Sequence, residues 1–447
     1  MHDPAAVSDA LLHAARKAGA EAADVIVTSG AHIDVEVRQG ALEKAERSEG
    51  IELGLRVIMG RRQACVSASD ASPRTLEEMA ERAVAMAREA PEDPSVGLAE
   101  EGQLARDTDA AALDLADPAP EPEPARLVEM ARAAEAEALS HDGISQVSTA
   151  EAAYGARRVH LAATNGFSAG YARTDASLYC VAIAGEGTGM ERDFYGESRT
   201  HLSDLPSPEE VGRIAALRTL ERRGPRRTAT GTFPVLYDER VAGSLIGHLL
   251  QAVNGGLVAR GSSWARDLMG ERVLPEGIDL VEDPRRPRVQ GSRPFDAEGL
   301  PTARSHVVED GALSRWILDL GAARRLGLES TANAARSASA PPSPRSGNAA
   351  LTPGRRSPAE LMAEMGTGLL VTSMIGSTIN PTTGDYSRGA SGMWIEGGAP
   401  AYPVSGVTIA GNLRDMLRSI VPSNDAREHL SRVVPSILVP EMTLAGD

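Results

Sequence analysis

A chain of 447 residues exceeds what one core of ordinary size organises, so two or more domains are expected, and 42% hydrophobic with 24% charged residues is globular composition. The net charge of -16 argues against a nucleic-acid-binding surface, which needs a basic face. Two cysteines, Cys65 and Cys180, build neither a disulfide framework nor an all-cysteine zinc site, and aromatics at 3% leave the cores to Ala, Val, Leu and Ile.

Residues 1–20 place Ala5, Val7, Leu11, Leu12 and Ala15 at helical spacing among Asp3, Asp9, Arg16 and Lys17. That pattern predicts an amphipathic helix without the apolar run of a signal peptide. Nowhere does the chain hold about 18 uninterrupted apolar residues, so no membrane span is expected and a cytoplasmic location is. Two Val- and Ile-rich runs follow, 24–28 and 32–38, and the strand-like pattern continues through 41–47, 51–59 and 63–69, the runs being separated by Ser29-Gly30-Ala31 and by Gly40, Gly50 and Gly60. They predict a five-stranded antiparallel meander. Ser72-Pro73 then opens a helix with Leu76, Met79, Ala80, Ala83, Val84 and Ala87 on one face, and residues 92–124 form an acidic, proline-rich connector.

A second round repeats that order: a helix over 125–139, strands across 143–180, and a helix opened by the capping-box spacing of Ser207 and Glu210. The repetition suggests an internal duplication. Arg222, Arg223, Arg226 and Arg227 fall at the helix end, where cations complement the dipole. Composition shifts over 224–232, dividing an N-terminal α+β domain of antiparallel meanders with helices (1–226) from a mostly β C-terminal domain with a few helices (227–447), an α+β fold overall. In the second domain a strand at 233–237 precedes a helix over about 239–253. Residues 337–358, rich in Ser, Pro, Ala and Arg, read as an exposed, mobile loop that ends in a second capping box at Ser357 and Glu360.

The nine histidines are never closer than eleven residues, so there is no local helical metal pair. His248, mid-helix, reads as a hydrogen-bonded interfacial residue, and spacing alone leaves open a distant set with Asp385 and His429. No nucleophile elbow or P-loop is present, and Gly185-Glu186-Gly187-Thr188-Gly189 reads as a turn between strands. Cys65 and Cys180 fall in strand-like segments, where inert burial is expected. The densest unusual segment, 366–392, sets many glycines beside β-like runs. It suits either close approach of an extended peptide or tight turns at sheet corners.

Several pieces in order resemble the TldD/PmbA metallopeptidase family, in particular its PmbA (TldE) branch. These are Gly189-Met190-Glu191-Arg192-Asp193, Pro294-Phe295-Asp296-Ala297-Glu298-Gly299, Glu364-Met365-Gly366-Thr367-Gly368-Leu369, Thr383-Gly384-Asp385-Tyr386-Ser387-Arg388-Gly389-Ala390, Tyr402-Pro403-Val404-Ser405, Thr408-Ile409-Ala410-Gly411-Asn412-Leu413 and Pro440-Glu441-Met442. In the TldD branch a helix carrying His-Glu-x-x-x-His and a late cysteine hold zinc. The resemblance puts Gly247 and Ala252 at the two histidine positions, His248 at the glutamate and Val434 near the cysteine, so it implies a chain with no catalytic or metal-binding residue of its own. It further implies no cofactor here, zinc in a TldD-type partner subunit, and a heterodimer that cleaves small or unfolded peptides, including precursors of modified peptide antibiotics. His248, Gly384, Asp385, Tyr386, Arg388 and Gly389 are the candidate residues facing peptide or partner. The competing expectation is a non-enzymatic peptide-binding homodimer or scaffold.

Overall fold

A computed structural model describes residues 3–446. The N-terminal half runs α1 (Pro4–Lys17), β1 (Ala22–Arg38), β2 (Ala41–Met59), β3 (Arg62–Ala68), α2 (Pro73–Glu89), α3 (Pro124–Leu139), β4 (Ile144–Ala163), β5 (Ser168–Ala184), β6 (Glu191–Arg199) and α4 (Pro208–Glu221). The first helix falls where its periodicity places it; Met1 and His2 of that expectation lie outside the described residues.

The expected five-stranded meander is in fact three long strands, because the chain does not turn at Ser29-Gly30-Ala31 or at Gly50. Gly30 and Gly50 instead face each other across the β1–β2 ladder. A Cβ on Gly30 would lie 2.3 Å from the Ala156 carbonyl oxygen of β4, so this glycine permits close approach inside a sheet and marks no bend.

The six strands form one antiparallel sheet in the order β3-β2-β1-β4-β5-β6. The two rounds of helix, three strands, helix therefore sit side by side, joined where β1 pairs with β4 from Asp24↔Ala163 to Val37↔Ala150. Val25, Val27, Ile33, Val35 and Val37 alternate along β1 onto one buried face. Helices α1 and α2 cover one end of that face with Leu11, Leu76 and Met79, and α3 and α4 the other with Leu127, Ala131 and Val211. The opposite face meets the C-terminal half, where Phe295 stacks edge-on against Phe167 and Tyr171 at 5.0 and 5.7 Å.

The C-terminal half comprises β7 (Gly231–Tyr237), α5 (Glu239–Ala252), α6 (Gly255–Ala259), β8 (Leu280–Glu282), β9 (Ser305–Glu309), β10 (Ala312–Leu313), α7 (Leu320–Leu326), β11 (Ala334–Ala335), β12 (Ser343–Pro344), β13 (Ala349–Leu351), α8 (Pro358–Met365), β14 (Gly368–Ile379), β15 (Asp385–Glu396), β16 (Ala399–Asn412), α9 (Leu413–Arg418), β17 (Val421–Pro422), β18 (Arg432–Val433) and β19 (Ile437–Ala445). Its main sheet, β16-β15-β14-β7-β19-β17, also pairs β16 with β19, which closes five strands into a ring. The α+β expectation holds.

Of the two expected capping boxes, Ser357 and Glu360 at the start of α8 satisfy each other reciprocally. At α4, Ser207 accepts from the Glu210 amide. Ser357→Ala should lower stability by about 1 kcal/mol in urea unfolding, and an unchanged midpoint would deny the cap any role.

Residues 337–358 are not the exposed loop their composition suggests. Ala338 is buried against Gly54, where a Cβ would sit 2.5 Å from the Ala338 Cα, and Asn348 is fully buried. Small side chains, which remove apolar periodicity, here let one half of the molecule approach the backbone of the other. Next to this contact Asp24 of β1 lies between Arg56, whose Nε donates at 2.6 Å, and the guanidinium of Arg336, whose side chain is 0% exposed.

Candidate functional site

Helix α5 starts at Asp238, which accepts from the Arg240 amide at 3.1 Å, and ends at Val253. Leu245, Ile246 and Leu249 fix it to the core of the ring together with Val235, Tyr237 and Val371. Its first turn is tied to the N-terminal half: Arg240 lies 3.6 Å from Asp193, and Arg218 3.7 Å from Glu239.

Two glycines one turn apart, Gly243 and Gly247, each cost a helix about 1 kcal/mol relative to Ala, so something should require them. At Gly247 the reason is Arg432. Its Nη1 donates to the Gly243 carbonyl at 3.3 Å and lies 2.7 Å from where a Cβ on Gly247 would be. Any longer side chain at 247 would displace the guanidinium.

Beside it, the His248 ring meets the edge of Tyr386 at 6.0 Å with planes at 70°. Burial first, then the charges of Arg388 and Arg432, push the imidazole pKa down to about 4, so it is neutral in neutral solution. Its Nε2 is shut off from solvent and has no hydrogen-bond partner among the described residues, at odds with the hydrogen-bonded reading. Tyr386 points into the ring, 3.4 Å from the hydroxyl of Tyr237, and burial pushes both phenols above their usual pKa. Arg388, two residues along the same face of β15, donates from Nε to the Gly376 carbonyl at 2.7 Å.

His248, Tyr386 and Arg388 are thus brought together, and the other candidates are not. Asp385 is exposed at the start of β15, where Thr383 and Asn412 donate to it and hold its carboxyl below the usual range. Gly384, at φ +84°, packs on Trp264, and Gly389 sits within the β14–β15–β16 ladder. His429 lies 3.2 Å from Glu197 of β6, so the distant set of His248, Asp385 and His429 does not assemble. Arg432 and Tyr237 were missed; the Gly243/Gly247 spacing inside an apolar helix was the signal for a side chain laid across it.

A zinc ion of the kind the family resemblance implies does not fit these residues. Gly247 and Ala252 offer no donor, Val434 is buried in the apolar core, and a guanidinium fills the space beside Gly247. Among the described residues no group of three or more His, Cys, Asp or Glu is placed to hold a metal. Cys180, buried with its thiol pushed up to about 12, and the half-buried Cys65 are likewise poor ligands and nucleophiles.

Three family models match consecutive parts of the chain: PmbA/TldA metallopeptidase domain 1 over 23–87, the central domain over 117–223 and the C-terminal domain over 230–446. Metalloprotease PmbA of Escherichia coli O157:H7 is 38% identical over 99% of this chain and 95% of its own length. The chain belongs to the PmbA/TldD metallopeptidase family. A PmbA homologue from Haemophilus influenzae is 34% identical over 97% of the chain and 94% of its own length. The family fold recurs in TldE from Thermococcus kodakarensis, with a TM-score of 0.85 at 21% identity over 98% of this chain and 100% of that one. It recurs also in a structure from Bacteroides thetaiotaomicron, at 0.91 and 24% over 99% and 98%.

Against this family background, the motif at 294–299 is a structural knot. Both Asp296 oxygens are taken by backbone amides, those of Glu298, Leu300 and Ala334, and Glu298 accepts from the Leu320 amide at 2.8 Å. Burial and the nearby Asp296 push the Glu298 carboxyl up to about 8. Among the described residues, no helix is long and apolar enough to cross a membrane.

Proposed function

We propose that this chain is the non-metal-binding subunit of a cytoplasmic heterodimeric metallopeptidase. A TldD-type partner supplies zinc and the water-activating glutamate, and this chain shapes the cavity and admits unfolded peptides, precursors of modified peptide antibiotics among them. The observation that carries the reading is the seat of Arg432 on Gly243 and Gly247: the helix that aligns with the family's metal helix is adapted to a guanidinium. Its near full-length likeness to PmbA proteins supports the same assignment.

The test is to purify the chain alone and together with a TldD-type chain, then measure zinc content and cleavage of an unfolded peptide. Neither stoichiometric zinc nor cleavage is expected from the isolated chain, and both are expected from the pair. Zinc and activity in the isolated chain would overturn the proposal. Peptide binding without hydrolysis, in a chain that pairs only with itself, would replace it with the homodimeric binding protein.

A further inference from the structure

We propose that Glu298 is a proton-operated latch between the two halves of the molecule: neutral, it lets the loop at 294–300 close on the N-terminal sheet, and ionised, it loosens that contact. The loop is docked by apolar and backbone contacts. Phe295 packs against Phe167 and Tyr171, and the Ala105 amide donates to the Gly299 carbonyl at 2.8 Å. Glu298 lines a cavity of about 210 Å³ left at this joint, together with Arg56 and Gln63 of the N-terminal sheet and Asp319 and Arg325 of the C-terminal half.

Neighbouring groups decide which form of Glu298 the closed joint accommodates. Its Oε2 accepts from the Leu320 amide at 2.8 Å, and Asp319 Oδ1 accepts from the Ala322 amide at 2.7 Å, so two carboxylates meet in the first turn of α7. A third, Asp296, lies two residues along the loop and is held by three amides, where Glu298 has one. The cations are committed elsewhere or exposed. Arg56 donates from Nε to Asp24 at 2.6 Å, Arg325 pairs with Asp93, Arg293 donates to the Ala334 carbonyl at 3.0 Å, and Arg260 is exposed. Ionised, Glu298 would add a charge beside two carboxylates with a single amide in place of water. Burial and the nearby Asp296 accordingly push its carboxyl from the ordinary 4.5 up to about 8. Below 4.5 the group is protonated whether the joint is closed or open. Between 4.5 and about 8 only the closed joint keeps the proton, so opening becomes easier with each unit of pH, and above 8 the dependence ends.

The test is hydrogen exchange of the full chain, read at the Ala105 and Leu320 amides from about pH 5 to about pH 9 and corrected for the intrinsic exchange rate, which gives the opening equilibrium of the joint. In the wild type that equilibrium should rise with pH by as much as about tenfold per unit and level off near the Glu298 pKa. Glu298→Gln, neutral at every pH, should lose the rise and keep both amides protected. Asp319→Asn leaves a capping side chain on α7 but removes a neighbouring charge, so its rise should level off at lower pH. The same rise in Glu298→Gln as in the wild type, or no rise in the wild type, would overturn the latch. So would an equal rise at amides in the middle of β1, which would place the effect in global unfolding. Should Glu298→Gln fail to fold, Asp319→Asn decides: an unmoved upper limit would sink the proposal. No arm involves a partner chain, so failure here leaves the subunit reading untouched.

Discussion

Replacing Asp24 with Ala should destabilise the protein by about 3–5 kcal/mol and loosen the contact between its two halves. The carboxylate lies between Arg56 of its own sheet and Arg336 of the C-terminal half, all three side chains being at most 5% exposed. Removing it strands two cations away from water, and the loss reflects their uncompensated charge more than the worth of the ion pair itself. Burial alone would raise the Asp24 pKa, but Arg56 and Arg336 outweigh it and hold the group below its ordinary 3.8. Its stabilising contribution is therefore complete above the unfolded-state value and disappears as pH falls through the lowered one. Urea unfolding of wild type and variant should differ strongly at pH 7, with the gap narrowing in strong acid. A gap that stays constant, or a loss under 1 kcal/mol at pH 7, would show that the triad does not join the halves.

Gly392→Ala should cost about 3 kcal/mol or more, through backbone collision in the middle of the ring. A Cβ there would lie 1.8 Å from the Leu370 carbonyl oxygen and 3.0 Å from the Val371 Cα, atoms of the paired strand that have no side-chain freedom with which to yield. The ladder between β14 and β15 must then open, beside a register shift that already interrupts it. Gly50→Ala is the control, since its Cβ would meet nothing within 4 Å within the long strand β2, and it should change stability by no more than about 0.5 kcal/mol. Thermal unfolding separates the two. Equal shifts would mean that the cost comes from glycine's conformational freedom and owes nothing to close approach.

The helices of this protein were legible because their signals are local. Ser72-Pro73, Ser207-Pro208 and Ser357-Pro358 each open a helix at the expected residue. Strand lengths were less so: Gly30 and Gly50 look like turn residues in one dimension, and only the neighbouring strands reveal that both lie inside a ladder, Gly30 at a tight seam. Residues 337–358 misled for a related reason, since a segment that packs by being small carries no apolar period. At the candidate site, the absence of donors at 247 and 252 was readable directly. The seat of Arg432 was not, because it joins residues nearly two hundred positions apart, and nothing in the local pattern around either one announces the other.

The closed ring also governs the order in which the protein can be made. Its first strand, β7, pairs with β19 from Gly231↔Leu444 to Tyr237↔Ile437, so one wall of the barrel waits for a strand made some two hundred residues later. The N-terminal sheet has all its strands by Arg199 and can mature during synthesis. The ring cannot close before β19 has been made, and until then β7 presents an unpaired edge. Removal of β19 would therefore leave a complete first sheet attached to an open, association-prone second one, and chaperone demand should persist until β19 has been made.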